Sequence, residues 1–200
     1  MSNQSKFYHR GTLDALDLLR ADHDKVRQLF REFDSLRDLD DEDERKSDLV
    51  DEICYELTIH TMIEEEIFYP AVRLALGDDD LIDEAEAEHA SARELILRLE
   101  QLYPGDEHFE TTMGVLAEEI ADHIDREEAD LFNAVRNAGV DLEGLCGQLI
   151  ARKDALDDDL SAPPGAPPGA SPSAPRGTPP TLKEAQRPHD GARRPPRAPN

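Results

Sequence analysis

Apolar residues recur by threes and fours along four long stretches of this chain. The first stretch, about 12 to 37, lines up Leu16, Leu19, His23, Val26, Phe30 and Phe33. The second, about 44 to 69, carries Val50, Ile53, Leu57, His60, Glu64 and Ile67 at the same intervals. The third, about 79 to 103, runs through Ile82, Ala85, His89, Ala92, Ile96 and Leu99, and the fourth, about 108 to 137, through Met113, Leu116, Ile120, His123, Glu127 and Leu131. A 3.6-residue period held over several turns predicts amphipathic helices that each bury one face. Polar or helix-breaking segments ("DLDDEDE", "LGDDD" and "YPGDE") separate the stretches. Pro70 is expected to kink or end the second helix, and Gly139 to stop the fourth. A shorter helix over about 141 to 157, with Leu142, Leu145, Leu149 and Leu156, is expected on the outside. The pattern predicts an all-α fold, an up-down-up-down four-helix bundle with a short fifth helix.

Each stripe contains one histidine: His23, His60, His89 and His123. Two of them have a glutamate one turn on, Glu64 after His60 and Glu127 after His123. A buried, unpaired carboxylate costs several kcal/mol, so something must compensate it. A single core histidine is ordinarily satisfied by a carbonyl or a neighbouring acid. Six such groups converging on one bundle interior would need a large hydrogen-bonded polar core, whereas bound metal compensates all of them together. His9, His108 and His189 fit no stripe.

The chain also repeats itself. "HTMIEEEIFYPAVR" from His60 aligns without a gap on "HIDREEADLFNAVR" from His123. His23 precedes His60 by 37 residues and His89 precedes His123 by 34. Two similar hairpins, each bringing one histidine and one HxxxE, predict a pseudo-twofold site with two metals and glutamates placed to bridge them. Imidazole and carboxylate suit iron, zinc or manganese. Glu65, Glu66 and Glu128 rotate off this face. They are expected to be solvated or to orient ligand imidazoles through their free N–H groups.

Composition narrows the partners. The 200 residues carry 46 acidic and 22 basic side chains, a formal charge of -24, which argues against a nucleic-acid-binding surface. Most of this acidity is solvated helix surface. No apolar run reaches the ~20 residues that span a bilayer, and the N-terminus has no apolar core of signal-peptide length. Cys54 and Cys146 lie far apart with no CxxC, so a reduced, cytosolic protein is expected, with both cysteines as packing residues. From "SAPPGAPPGASPSAPRGTPP" onward proline, alanine and glycine dominate. Residues 10–158 are therefore read as one metal-binding domain and 159–200 as a disordered, basic tail.

The stretches "ADHDKV", "IHTMIEEEIFYPAV", "EAEHA" and "DHIDREEADLF" together resemble the bacterial hemerythrin-like (HHE cation-binding) proteins, over about residues 10 to 157. The resemblance implies a non-haem site of two iron ions with an oxygen bridge, held by His23, His60, Glu64, His89, His123 and Glu127. It also implies an open position for dioxygen, nitric oxide or peroxide. Oxygen-carrying hemerythrins have a fifth histidine one turn before the one matching His89, where this chain has Ala85; Glu86 is the candidate carboxylate in its place. Three roles follow from the resemblance: binding or sensing a small oxidant, turning over peroxide as a redox enzyme, or handling iron.

Overall fold

The computed structural model describes residues 13–37, 39, 41–77 and 80–160. These form helices α1 (Ala15–Leu36), α2 (Asp43–Ile63), α3 (Tyr69–Leu76), α4 (Asp80–Leu99), α5 (Phe109–Arg126), α6 (Phe132–Ala138) and α7 (Leu142–Leu160). There is no strand among the described residues. α1 starts on a reciprocal cap: Asp14 accepts from the Asp17 N–H at 3.0 Å and Asp17 accepts from the Asp14 N–H at 3.2 Å. That satisfies two backbone donors left over at the helix start. The helix starts and ends fall within about four residues of those expected, except that the second stretch runs on past 69 to Leu76.

The second and fourth stretches are each one continuous rod with a defect. Between α2 and α3, Glu64–Phe68 form a single π-helical turn, and Glu127–Leu131 do the same between α5 and α6. In both, the first residue after the turn donates its N–H five residues back, Tyr69 to the Glu64 carbonyl and Phe132 to the Glu127 carbonyl. Of the two outcomes expected at Pro70, an end of the second helix does not occur. An α-helical proline clashes with the carbonyl four residues before it and lacks the donor for it. Here the widened turn has already displaced that carbonyl, and the rod runs on to Leu76. Gly77 and Gly139, with φ of +63° and +71°, close α3 and α6 in the left-handed region where glycine is favoured.

α1 pairs with α2, α4 with α5, α2 with α4 and α1 with α5, so the four long helices close a ring. The core is divided along the bundle. One apolar cluster gathers Leu16, Leu19, Ile63, Phe68 and Phe132 with Leu145, Leu149 and Leu156 of α7. The other gathers Val26, Phe33, Ile53, Leu99, Phe109 and Met113. On α1 and α4 the stripe histidine lies in sequence between the two clusters, on α2 and α5 it lies within a residue of the change from one to the other, and all four are buried. α7 packs against α1, α2 and the Glu64–Phe68 turn, on the outside of the first hairpin. It is pinned there by Tyr55 donating to Asp157 at 2.5 Å and by Arg152 holding Glu66.

No helix among the described residues is long and apolar enough to cross a membrane. The tail expected over 159–200 lies, from residue 161 on, outside the described residues; Asp159 and Leu160 end α7. Cys54 and Cys146 are both free and buried. Burial pushes the Cys54 thiol up to about 12 and raises Cys146 as well. Since only the thiolate reacts, a disulfide reagent at pH 8 is expected to modify neither thiol of the folded chain within minutes, and both at once in denaturant. Fast labelling of Cys54 in the native chain would contradict its place in the core.

Candidate metal centre

The histidines face one another in pairs. His23 Nε2 lies 3.2 Å from His60 Nε2, and His89 Nε2 lies 3.3 Å from His123 Nε2. Glu64 sits between the pairs: its Oε2 is 3.2 Å from His60 Nε2 and 3.4 Å from His89 Nε2. Glu127 Oε2 is 3.2 Å from His23 Nε2. Two groups of donor atoms result, His23–His60–Glu64–Glu127 and Glu64–His89–His123, each with its atoms within 4.8 Å of one another. Glu64 belongs to both.

Behind the rings stands a second set of carboxylates. The Nδ1–H of His23 donates to Glu128 at 3.0 Å, that of His89 to Glu65 at 3.0 Å, and that of His123 to Glu88 at 2.8 Å. A carboxylate accepts only, so the proton of each neutral ring sits on Nδ1 and the Nε2 lone pair points inward. Arginines anchor the acids in turn: Arg27 holds Glu128 at 3.0 Å, Arg93 holds Glu65 at 2.5 Å, and Arg126 pairs with Glu88. The fourth arm differs. His60 Nδ1 is 3.8 Å from Asp22 Oδ2, and the cation on Asp22 is Lys153 from α7.

Glu65 and Glu128 thus orient imidazoles, while Glu66 is drawn to Arg152 at the surface. Asp22 and Glu88 had no signal in the helical stripes, because each precedes its own histidine and serves the histidine of the next helix. Tyr69 was also missed. Its hydroxyl lies 3.3 Å from each of Glu64, Glu127 and His89 Nε2, and its ring stacks on His89 with centroids 5.5 Å apart. Phe132, the matching residue of the second hairpin, stacks on His23 at 5.9 Å without a hydroxyl. The structure does not bring Glu86 into either donor group. Its carboxylate is partly exposed and paired with Arg73 of α3 at 3.3 Å, whereas Glu88 reaches His123 of α5.

Without a cation, these groups fit one another poorly. Glu64 is 0 % exposed, and burial, with Glu127 beside it, raises its carboxyl. Burial works the same way on Glu127, but the imidazoles, His23 first, override it and bring that carboxyl to about 2. Burial opposes charge on His89 too, yet Glu64 and Glu65 lift it to about 9. Burial and the other imidazoles push His123 down to about 3. Buried Glu64 Oε1 and Glu127 Oε2 have no hydrogen-bond partner. Four converging Nε2 atoms, two crowded carboxylates and orphaned oxygens are what a pair of cations would satisfy. The all-N/O donor set suits iron, manganese or zinc.

Comparison with known proteins agrees with this geometry. Residues 14–135 match the hemerythrin HHE cation-binding domain. A DNA nickase of Nostoc sp. is 32% identical over 121 residues, which is 60% of this chain and 33% of that protein, so the chain spans about a third of that relative's length. Rv2633c of Mycobacterium tuberculosis is 29% identical over 150 residues, 72% of this chain and 88% of that one. Among solved structures, a hemerythrin HHE cation-binding domain-containing protein of Mycobacterium kansasii, a homologue of Rv2633c, aligns with a TM-score of 0.64 and 24% identity. The alignment covers 74% of this chain and 90% of that one, and at this identity it speaks for the fold.

Proposed function

Since the chain belongs to the hemerythrin HHE cation-binding family, we propose that it holds two oxygen-bridged iron ions and binds or senses a small oxidant: dioxygen, nitric oxide or peroxide. The observation that carries this reading is Glu64, a wholly buried carboxylate common to two histidine-containing donor groups. A single structural ion would need only one of those groups. In this reading His23, His60 and Glu127 would hold one ion and His89 and His123 the other, with Glu64 available to both. Bound iron supplies electron exchange with the small molecule.

The chain's own residues do the rest. Glu128, Glu65 and Glu88 keep three imidazoles in the tautomer that presents Nε2. The apolar clusters on either side exclude bulk water. The second donor group has three residues against four in the first, which leaves the His89–His123 side more open to an exogenous ligand. The nickase's activity is not carried over, because a formal charge of -24 repels a polyanion. The same cluster supports a second reading, a redox enzyme that decomposes peroxide. Tyr69 favours it: burial, with Glu64 and Glu127 nearby, holds its hydroxyl well above the ordinary tyrosine value, so it keeps its proton beside the open group.

The test is elemental analysis and a visible spectrum of protein purified without chelators, followed by nitric oxide and peroxide titration. About two irons per chain, as in other dimetal carboxylate bundles, with a spectrum perturbed by either ligand, is expected. Steady peroxide consumption would select the enzyme, and a stable adduct without turnover the sensor or carrier. Zinc alone, or no metal, would overturn the proposal.

A further inference from the structure

The helices of the two hairpins align when His23 is set on His89 and His60 on His123, with a connection three residues shorter in the second, and their outer surfaces differ beside Ala85. A cavity of about 30 Å³ opens beside Ala85. Glu84, Arg126 and Asp130 form its exposed rim, and buried His123 and Glu127 lie on its floor. In the first hairpin Asp22 matches Glu88, but the residues that match the throat and the exposed rim are apolar. Leu19 stands for Ala85, Leu18 for Glu84, Ile63 for Arg126 and Ile67 for Asp130. Leu18, Leu19 and Ile63 are at most 1 % exposed, in the cluster completed by Leu145, Leu149 and Leu156 of α7. Of two pseudo-equivalent mouths, α7 therefore covers one. The other keeps a polar rim and a small side chain at its throat.

We infer that the cavity beside Ala85 is the route by which an uncharged molecule of two or three atoms reaches the His89–His123 side of the centre, and that its acidic rim turns anions away. This rests on the iron-binding reading above and adds to it a direction of approach and a class of ligand. Size sets the first limit: the volume holds on the order of two waters and no organic substrate. Charge sets the second. Four carboxylates (Glu84, Glu88, Glu127 and Asp130) line the cavity against one guanidinium, Arg126. Arg126 is already engaged by Glu84 and Glu88. A narrow, low-dielectric passage concentrates the field of such a rim on whatever enters. The cavity also ends on His123, a member of the donor group with fewer residues. The opening thus reaches one member of each donor group, His123 and Glu127.

The test uses the iron-loaded full chain and two probes followed by stopped-flow absorption, azide for anions and nitric oxide for neutral molecules. Ala85→Leu reproduces the plug that Leu19 provides in the other hairpin. It is expected to slow both probes at least tenfold with iron content unchanged. Leu81→Trp, placed at the exposed edge of the same cavity, should do the same without altering the core, which covers the case in which Ala85→Leu does not fold. The double variant Glu84→Gln, Asp130→Asn is expected to speed azide about tenfold at low salt and leave nitric oxide unchanged. Unchanged rates for both probes in both plugged variants would overturn the route, and an unchanged azide rate in the discharged variant would overturn the anion barrier. Wild-type protein that takes up no iron, or binds neither probe, would instead sink the iron-binding reading and this inference with it.

Discussion

Glu64→Ala is expected to empty both metal positions, while His123→Ala empties one. The difference follows from membership: Glu64 is common to both donor groups, and His123 belongs to one. In wild-type protein loaded with about two ions, elemental analysis should fall to near zero for Glu64→Ala and to about one for His123→Ala. A Glu64→Ala chain that keeps one tightly bound ion would mean that the groups are independent and that Glu64 does not bridge. A Glu64→Gln variant separates metal binding from folding. In the metal-free chain Glu64 is a wholly buried carboxyl with one oxygen lacking a partner. Burial and Glu127 beside it raise that carboxyl toward its neutral form, and glutamine is the uncharged near-isostere of that form. Metal-free Glu64→Gln should therefore melt close to metal-free wild type, although it holds no metal.

Chelation of the wild-type chain is the second large effect. Ligand that binds only the folded state adds about 4 kcal/mol when it stands at a thousand times its dissociation constant. For a domain of this size each kcal/mol moves the melting temperature by about 2–4 °C. Stripping the metal should accordingly lower the melting temperature by about 8–16 °C, with the helical signal retained at low temperature because two apolar clusters remain on either side of the polar layer. Differential scanning calorimetry with and without chelator reads this directly. Equal melting temperatures would mean that the six buried polar groups are satisfied without an ion, and the centre would lose its main physical justification.

How much of this was visible beforehand depended on whether helical phase carried the information. His23, His60, His89 and His123 could be assigned to one interior because a regular helix keeps residues three and four apart on one face, and all four long helices are regular up to those positions. Glu64 and Glu127, one turn further, were still in phase. Beyond them the phase changes. In an α-helix a residue five positions on lies about 140° around the axis, which would have pointed Tyr69 away from Glu64. The π turn closes nearly one revolution in those five residues and returns the tyrosine to the same face. Phase misled differently for Glu86. Three residues before His89 it looked close to the stripe, but a contact with Arg73 on the neighbouring helix decides its direction. Asp22 and Glu88 act across a helix–helix boundary, and no single-helix pattern records a partner on another rod. The half-covered symmetry was hidden for a related reason. The repeat shows in the sequence, but which hairpin α7 covers depends on how the last helix folds back.

The paired π turns have a consequence for anyone who would move this centre elsewhere. Grafting the two HxxxE pairs onto straight, ideal helices would transfer the histidines and glutamates but not the stacked rings, since Tyr69 and Phe132 face the histidines only because each rod carries one surplus residue in its winding. The transplantable unit is the whole run from His60 to Tyr69 and its twin from His123 to Phe132. Deleting a single residue inside either turn would regularise that helix and leave its ring four residues after the glutamate, on the same face as before.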